Sequence, residues 1–370
     1  MSQPETLAEA ALLITCLRGQ PFAVPSDLDW HRLLNLAAEN GVVLPVYRTL
    51  SEEGVAIPDF FASATHACSQ AAEIFSAELE SLLKEFAAWG IDVLPLKGPA
   101  LAESLYGDAT MRQCNDLDLL VRGDDYPRAE TLLLRLGFAA SSEMDDYHRR
   151  FVRNGVPVEL HFGIASPRYF PFDLDRVWRR STEGAFRGSP MRVMSDDDLV
   201  LFLCLHGLKH GFSRLIWILD VSRSLNRIPI GHYETLMQRA RREGQEAWLL
   251  IGCEVVREML PQQLPPGIDA VIAKSPRMAE KARRVAAQLF ADGLEMINDH
   301  RIRDFYLQIE RSARRRWRCR LSYLAPTPMD YRWMERHRIN RNFVPILRPL
   351  RLLQKHGVSR MWRTLFPPAA

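Results

Sequence analysis

A chain of 370 residues, 47% hydrophobic and 25% charged, can bury a large core, and its length predicts two or three structural units rather than one. Its six cysteines (Cys16, Cys68, Cys114, Cys204, Cys253 and Cys319) lie far apart with no CxxC pair, which argues against a disulfide framework or a zinc knuckle and fits a reducing cytoplasm. The opening MSQPETLAEA carries acids where a secretion signal needs positive charge, and the longest apolar run, LVLFLCLHGLKHGFSRLIWILDV, is broken by His206, Lys209, His210 and Arg214; a soluble, cytoplasmic protein is expected.

The net charge of +3 conceals an asymmetry. Residues 301–370 hold 17 Lys or Arg against 4 Asp or Glu, leaving 31 basic against 41 acidic residues before them. An acidic body carries a basic tail.

Taken in chain order, residues 1–90 read as a helical region. Its clearest segment is FFASATHACSQAAEIFSAELESLLKEFAAWG, where Phe75, Leu79, Leu82, Leu83 and Phe86 recur at helical spacing and Gly90 stands in the C-cap position. The period then changes. IDVLPLKG predicts a buried strand running into a loop, PALAESLY a short helix, DLDLLV a second strand and residues 124–137 another helix. RFVRNGVPVELHF holds two strand-like runs around Asn154-Gly155, a strong hairpin signal. Helices return at MSDDDLVLFLCLHGLKH, where Ser195 and Asp198 form a variant capping box, and continue to about residue 299. The expected architecture is α+β: a small mixed-sheet core at 91–190, between helical regions at 1–90 and 191–300, with the basic, aromatic-containing tail at 301–370.

NDLDLLV carries the chemistry. Residues two apart in a strand share a face, so Asp116 and Asp118 point together while Leu117 and Leu119 point away. Two neighbouring carboxylates repel, and one is driven towards protonation unless a cation stands between them. Mg²⁺, an oxygen-seeking ion that typically binds one or two carboxylates plus substrate phosphates, suits such a pair, with Mn²⁺ as the alternative; a solvated strand end explains many isolated DxD pairs. Glu159 in VPVELH is a third acid in a strand-like setting, placed to join the pair if the strands are neighbours, either as ligand or as proton acceptor. LPLKGPAL ends a strand at a glycine and opens a helix, an arrangement suited to phosphate, and Lys97 adds positive charge there. Arg112 either neutralises a phosphate or pairs with an aspartate.

The order LPLKGPAL, LYGDATMRQCNDLDLLV, VPVELHF, LHGLKHGF and IWILD resembles the uncharacterised bacterial nucleotidyltransferase family of the polymerase-β-like superfamily, over roughly residues 30–225. The KG…R…DxD part is also similar to the nucleotidyltransferase toxins of abortive-infection systems. The resemblance implies that Lys97 and Gly98, with Pro99 and Ala100, occupy the place of the superfamily's glycine-serine phosphate loop. It implies that Asp116 and Asp118 are metal-binding carboxylates with Glu159 the third, and that Arg112 is the arginine preceding the DxD in the toxins. Pro99 departs from the superfamily loop and removes one N–H from the phosphate cradle, for which the Lys97 charge compensates.

His206 and His210 share a helix face with Lys209 near them. They read either as packing under the catalytic strands or as contacts to phosphate or acceptor, with Lys209 and His210 the nucleotide-binding candidates. Zinc fits poorly, since no general-base Glu lies between the histidines and no third ligand is evident. His161 shares the face of Glu159, and Trp217 and Asp220 read as structural. RSARRRWRCR, YRWMERHRINRNF and RPLRLLQKHGVSRMWRTLF interleave Arg with aromatics, as segments that contact nucleic acid, an anionic membrane surface or the acidic body do.

The leading expectation is an enzyme that moves an NMP from a nucleoside triphosphate such as ATP to a hydroxyl on a protein, peptide, RNA or small molecule, releasing pyrophosphate. A DxD glycosyltransferase using a nucleotide sugar is the second reading, and a scaffold binding nucleotide or RNA without chemistry the third.

Overall fold

The computed structural model describes residues 8–166, 170, 172–260 and, in shorter stretches, parts of 264–365. Four helices come first: α1 (Ala8–Arg18), α2 (Trp30–Glu39), α3 (Val43–Glu52) and the long α4 (Asp59–Ala88). Asp29 caps α2 by accepting from the Arg32 amide, an interaction typically contributing about 1 kcal/mol. After α4, Gly90 takes the left-handed conformation (φ 62°) and the Ile91 amide reaches back to the Phe86 carbonyl, so the helix ends as the glycine predicts.

The mixed core follows as β1 (Leu94–Pro95), α5 (Pro99–Tyr106), β2 (Leu117–Leu120), α6 (Tyr126–Arg135), β3 (Ala139–Met144), β4 (His148–Arg153) and β5 (Val156–His161). These strands form one five-stranded sheet in the order β1-β2-β5-β4-β3. Asn154 and Gly155 both have positive φ (51° and 79°), and Arg153 pairs with Val156 across them: a two-residue turn of the kind Asn-Gly favours. The expected first strand shrinks to two paired residues. Pro95 has no amide to give a ladder, and the strap beyond it must turn at once into α5.

The sheet lies between two cores, which explains its binary sequence. One face carries Leu117, Leu119, Phe151, Val158 and Leu160 against Leu79, Leu82, Leu83 and Phe86 of α4 and Ala129, Leu132 and Leu133 of α6. On the β1–β2 side, the opposite face sends Leu94, Leu96 and Leu120 into a larger core shared with α1–α3 and the later helices. That opposite face also carries Asp118.

Four elements had no counterpart in the sequence pattern: β3, α7 (Leu174–Arg180) and the two strands of a separate hairpin, β6 (Thr182–Phe186) and β7 (Ser189–Val193). Arg187 and Gly188, both at positive φ, form the hairpin's turn, and the Arg192 amide donates to the Val93 carbonyl, guarding the edge beyond β1. The helical region follows: α8 (Asp196–Lys209), α9 (Leu215–Leu225), α10 (Tyr233–Glu243), α11 (Glu246–Met259) and α12 (Pro266–Ala273). Ser195 caps α8 by accepting from the Asp198 amide, as the capping box predicts. The expected helical continuation through 284–299 lies outside the described residues.

At the end of α8 the chain folds back sharply. The Phe212 amide bonds to the Gly207 carbonyl at 2.7 Å, and the Phe212 ring fills the space a Cβ on residue 207 would need, so glycine is required there by packing. In the tail, Ala313–Ser322 is helical, and Val344–Leu365 is helical on either side of a kink at Gly357 (φ 73°). Arg348 and Arg351 both pair with Asp330, and the Arg315 guanidinium lies against Gly244 at the end of α10. Among the described residues no helix is long and apolar enough to cross a membrane.

Candidate active site

Strands β2 and β5 run parallel with Asp118 directly opposite Glu159. Paired residues point to the same face, so the two carboxylates converge although 41 positions of sequence separate them. His161 follows Glu159 on that face, and His148, opposite His161 across the β4–β5 hairpin, stacks on it with ring centroids 4.9 Å apart. The acids and the histidines are brought together by register alone.

Asp118 is 2% exposed and divided between two neighbours. Its Oδ1 stands 3.1 Å from His161 Nε2, and its Oδ2 stands 2.9 Å from the Lys97 ammonium. The carboxylate is thus shared between an imidazole and an ammonium. Burial opposes its charge, but Lys97 and His161 outweigh that and hold its carboxyl well below the ordinary range. Glu159 Oε2 lies 3.5 Å from His161 Nε2 and 3.4 Å from His148 Nε2. Against burial, the hydrogen bond from His161 lowers the Glu159 pKa.

The two imidazoles respond in opposite directions. Burial disfavours an imidazolium at both, yet hydrogen bonds to Asp118 and Glu159 raise His161, while burial and the neighbouring His161 charge lower His148 to about 4. Asp116 sits one residue before β2 and is partly exposed. Burial and the Asp118 charge raise its carboxyl to about 6, because Lys97 and His161 have already settled on its neighbour. Asp118, Glu159 and His161 are the described residues whose ligand atoms converge as a possible metal group, all within 4.8 Å; Asp116 stands outside that trio.

Gly98 precedes α5 with φ 78° and ψ −151°, a backbone open essentially to glycine, and Pro99 opens the helix. An N–H at that first helical position would have no partner within the helix, so proline costs the helix nothing. Lys97 thus stands at the mouth of a helix N-terminus with its ammonium on Asp118.

From the opposite side comes the end of α8. Lys209 donates to the Tyr147 hydroxyl at 2.5 Å, with its ammonium 4.4 Å from that ring's centroid, and burial and the Lys97 charge lower its pKa. His210 packs against Trp217 and His206 at 5.1 and 4.7 Å between centroids. Burial lowers His210 to about 3 and His206 well below its ordinary range, so both rings are neutral. The two histidines form an aromatic cluster under the site, which fits the packing reading.

Arg112 takes the second of its two sequence readings. Its Nε donates to Asp220 Oδ2 at 3.0 Å, both groups buried, and Tyr106 donates to Asp220 Oδ1 at 2.7 Å. The arginine pairs with an aspartate of α9 rather than with Asp116 or Asp118, and its Nε is committed there. His148, Tyr147 and Tyr106 are neighbours the sequence reading did not name. The first was within reach, since counting outward from the two-residue turn places residue 148 opposite 161.

A family model described as uncharacterised nucleotidyltransferase matches residues 26–261. No curated protein matches the chain. Among solved structures, the antibiotic-resistance factor ANT(2'')-Ia in complex with adenylyl-2''-tobramycin aligns at 15% identity and a TM-score of 0.36, covering 45% of this chain and 97% of that one. An antigenic nucleotidyltransferase-like protein from Paracoccidioides brasiliensis aligns at 17% identity and a TM-score of 0.35, covering 56% and 92%. The family match takes in every strand of the sheet and the whole of α8 and α9, more than half of the chain, and on it the chain belongs to the uncharacterised nucleotidyltransferase family.

Proposed function

We propose that the protein transfers an NMP from a nucleoside triphosphate to an acceptor hydroxyl and releases pyrophosphate, using a divalent cation held by Asp118 and Glu159 with Asp116 beside them. The observation that carries this reading is the in-register meeting of Asp118 and Glu159 on adjacent parallel strands, with Lys97 and the α5 N-terminus at the same end. The donor set fits a cation: two ionised carboxylates set opposite each other on adjacent strands. When bound, the ion neutralises phosphate charge and acidifies the attacking hydroxyl.

The chain's own residues supply the rest. Lys97 releases Asp118 and pairs with the triphosphate, and the free amides at the start of α5 favour its charge. Lys209, buried against Tyr147, offers a second cation from α8. The acceptor oxygen bonds to the α-phosphorus as the bond to the pyrophosphate oxygen breaks. The proton passes to Asp116, which stands beside the cation's carboxylates and is partly exposed. Glu159, held between two imidazoles, is better matched to ligation than to taking that proton. A nucleotide-sugar enzyme would place an α/β nucleotide-binding half before its DxD; here α1–α4 stand there. The basic tail supplies the surface for an acidic partner, nucleic acid or an anionic membrane.

The test is label transfer. The protein with a divalent cation and α-labelled NTPs, in lysate RNA and protein, is expected to pass label to an acceptor, and Asp118→Ala is expected to lose at least about 10³-fold of that rate. Transfer surviving in Asp118→Ala, or label moving only from nucleotide sugars, would overturn the reading.

A further inference from the structure

The carboxylates do not converge alone, and the third member of their group is a nitrogen. We propose that Asp118 Oδ1, Glu159 Oε2 and His161 Nε2 form a mixed oxygen–nitrogen site that selects a manganese-class divalent ion over Mg²⁺. This deepens the reading that the site works with a divalent cation and rests on it.

Distances come first. His161 Nε2 is 3.1 Å from Asp118 Oδ1 and 3.5 Å from Glu159 Oε2. Ligand atoms on bonds of about 2.1 Å are separated by roughly 3.0 Å at adjacent octahedral positions and roughly 3.4 Å at tetrahedral ones. Both His161 separations match those of neighbouring ligands on one ion, and the three ligand atoms lie within 4.8 Å of one another.

The ring is also oriented as a ligand would be. Its Nδ1 faces the Gly163 carbonyl at 3.1 Å, which places a proton on that nitrogen and directs the Nε2 position at the two carboxylates. A backbone carbonyl holding the far nitrogen is the usual support behind a metal-bound imidazole. Gly163 is fixed in turn: its amide donates to the Tyr147 carbonyl, and a Cβ there would lie 2.8 Å from Tyr147 Cβ. His148 stacks on the outer face of the ring. On the other side of Asp118, Lys97 engages the Oδ2 side, so Oδ1 is the oxygen presented to the trio.

Chemistry then selects the ion. Mg²⁺ favours an all-oxygen shell and gives up water reluctantly, whereas an imidazole nitrogen strengthens binding of the later divalent ions in the order Mn²⁺, Co²⁺ and beyond. A second proton on His161 would satisfy the same three atoms without any metal, and the experiment must separate these occupants.

Mn²⁺ is added to the full-length protein without nucleotide, and binding is followed by electron paramagnetic resonance, with pulsed measurement of nitrogen modulation on the bound ion. The expected result is one Mn²⁺ per chain, nitrogen modulation in the wild type, and displacement by Mg²⁺ only at concentrations at least tenfold higher. In His161→Gln the modulation disappears and Mn²⁺ affinity falls on the order of tenfold or more, with a melting curve confirming that the variant folds. Stoichiometric Mn²⁺ without nitrogen modulation in the wild type, modulation unchanged in His161→Gln, or no stoichiometric binding would each overturn the proposal. The wild-type spectrum needs no variant. A protein that transfers label from NTP yet shows no nitrogen on its bound ion sinks this inference alone; nitrogen on the ion with no NTP consumed under any cation sinks the proposed function and leaves the site standing.

Discussion

At Asp116 and Asp118 one residue type meets two environments two positions apart. Asp118 has Lys97 and His161 against it and stays ionised; Asp116 faces that charge and has its carboxyl raised to about 6. A carboxyl raised in the folded state favours folding below the ordinary carboxylate range, where it is protonated in both states, and that contribution is lost as pH rises through about 6. Its neighbour has the opposite sign, since a lowered pKa gives stability that is present above the ordinary value and lost on acidification. Carbon-13 NMR of the aspartate carboxyls is therefore expected to show one group titrating near 6 that is missing in Asp116→Asn. Adding a divalent cation should move that titration to lower pH, because the ion offsets the Asp118 charge that raises it, and a titration unmoved by the cation would place the ion away from Asp118. None of this division is legible in DLD as a string. The pair announces repulsion, but which partner yields depends on a lysine 21 residues upstream and a histidine 43 downstream.

Elements position the site by tying distant segments together at few points. Helix α9 reaches the stretch before β2 through Asp220, which holds both Arg112 and Tyr106. All three are buried, so removing the aspartate strands a guanidinium in a low-dielectric interior. Asp220→Ala is expected to destabilise the protein by about 3–5 kcal/mol, measured by chemical denaturation, whereas a loss below about 1 kcal/mol would show that water reaches the arginine. Arg112 reads from sequence either as a phosphate contact or as the partner of an aspartate, and sequence offers no means of choosing, because Asp220 lies 108 residues away. By contrast, α4, α5, α8 and the β4–β5 hairpin were readable. Their signals, a glycine stop, a helix-forming composition, a capping serine and an Asn-Gly turn, all act within a few residues. The β6–β7 hairpin escaped because its Arg-Gly turn is a weaker form of the same signal and its strands are partly exposed on one face.

Across the whole molecule, the sheet is a partition with one dry side and one chemical side. Helices α4 and α6 seal the first; on the second, Leu94, Leu96 and Leu120 join the core that α8 and α9 share, while Asp118, Glu159 and His161 gather beside it. That asymmetry was visible as alternation in DLDLLV and VELH. The parallel pairing that sets Asp118 opposite Glu159 was not, since parallel neighbours are joined by long connections that leave no local mark. The Lys97–Asp118 ion pair spans the two binding functions proposed for this side. A triphosphate that draws the ammonium away leaves Asp118 with more negative charge to offer a cation, and a cation on Asp118 frees the ammonium for phosphate. The two ligands are therefore thermodynamically linked, and linkage is reciprocal: whatever factor the nucleotide adds to metal affinity, the metal adds to nucleotide affinity. Calorimetric titration of each ligand in the absence and presence of the other should return the same coupling factor, greater than one. Lys97→Gln is expected to bind cation more tightly in the absence of nucleotide and to lose most of that coupling, because the lysine is the latch that keeps the cation's place closed until the nucleotide opens it.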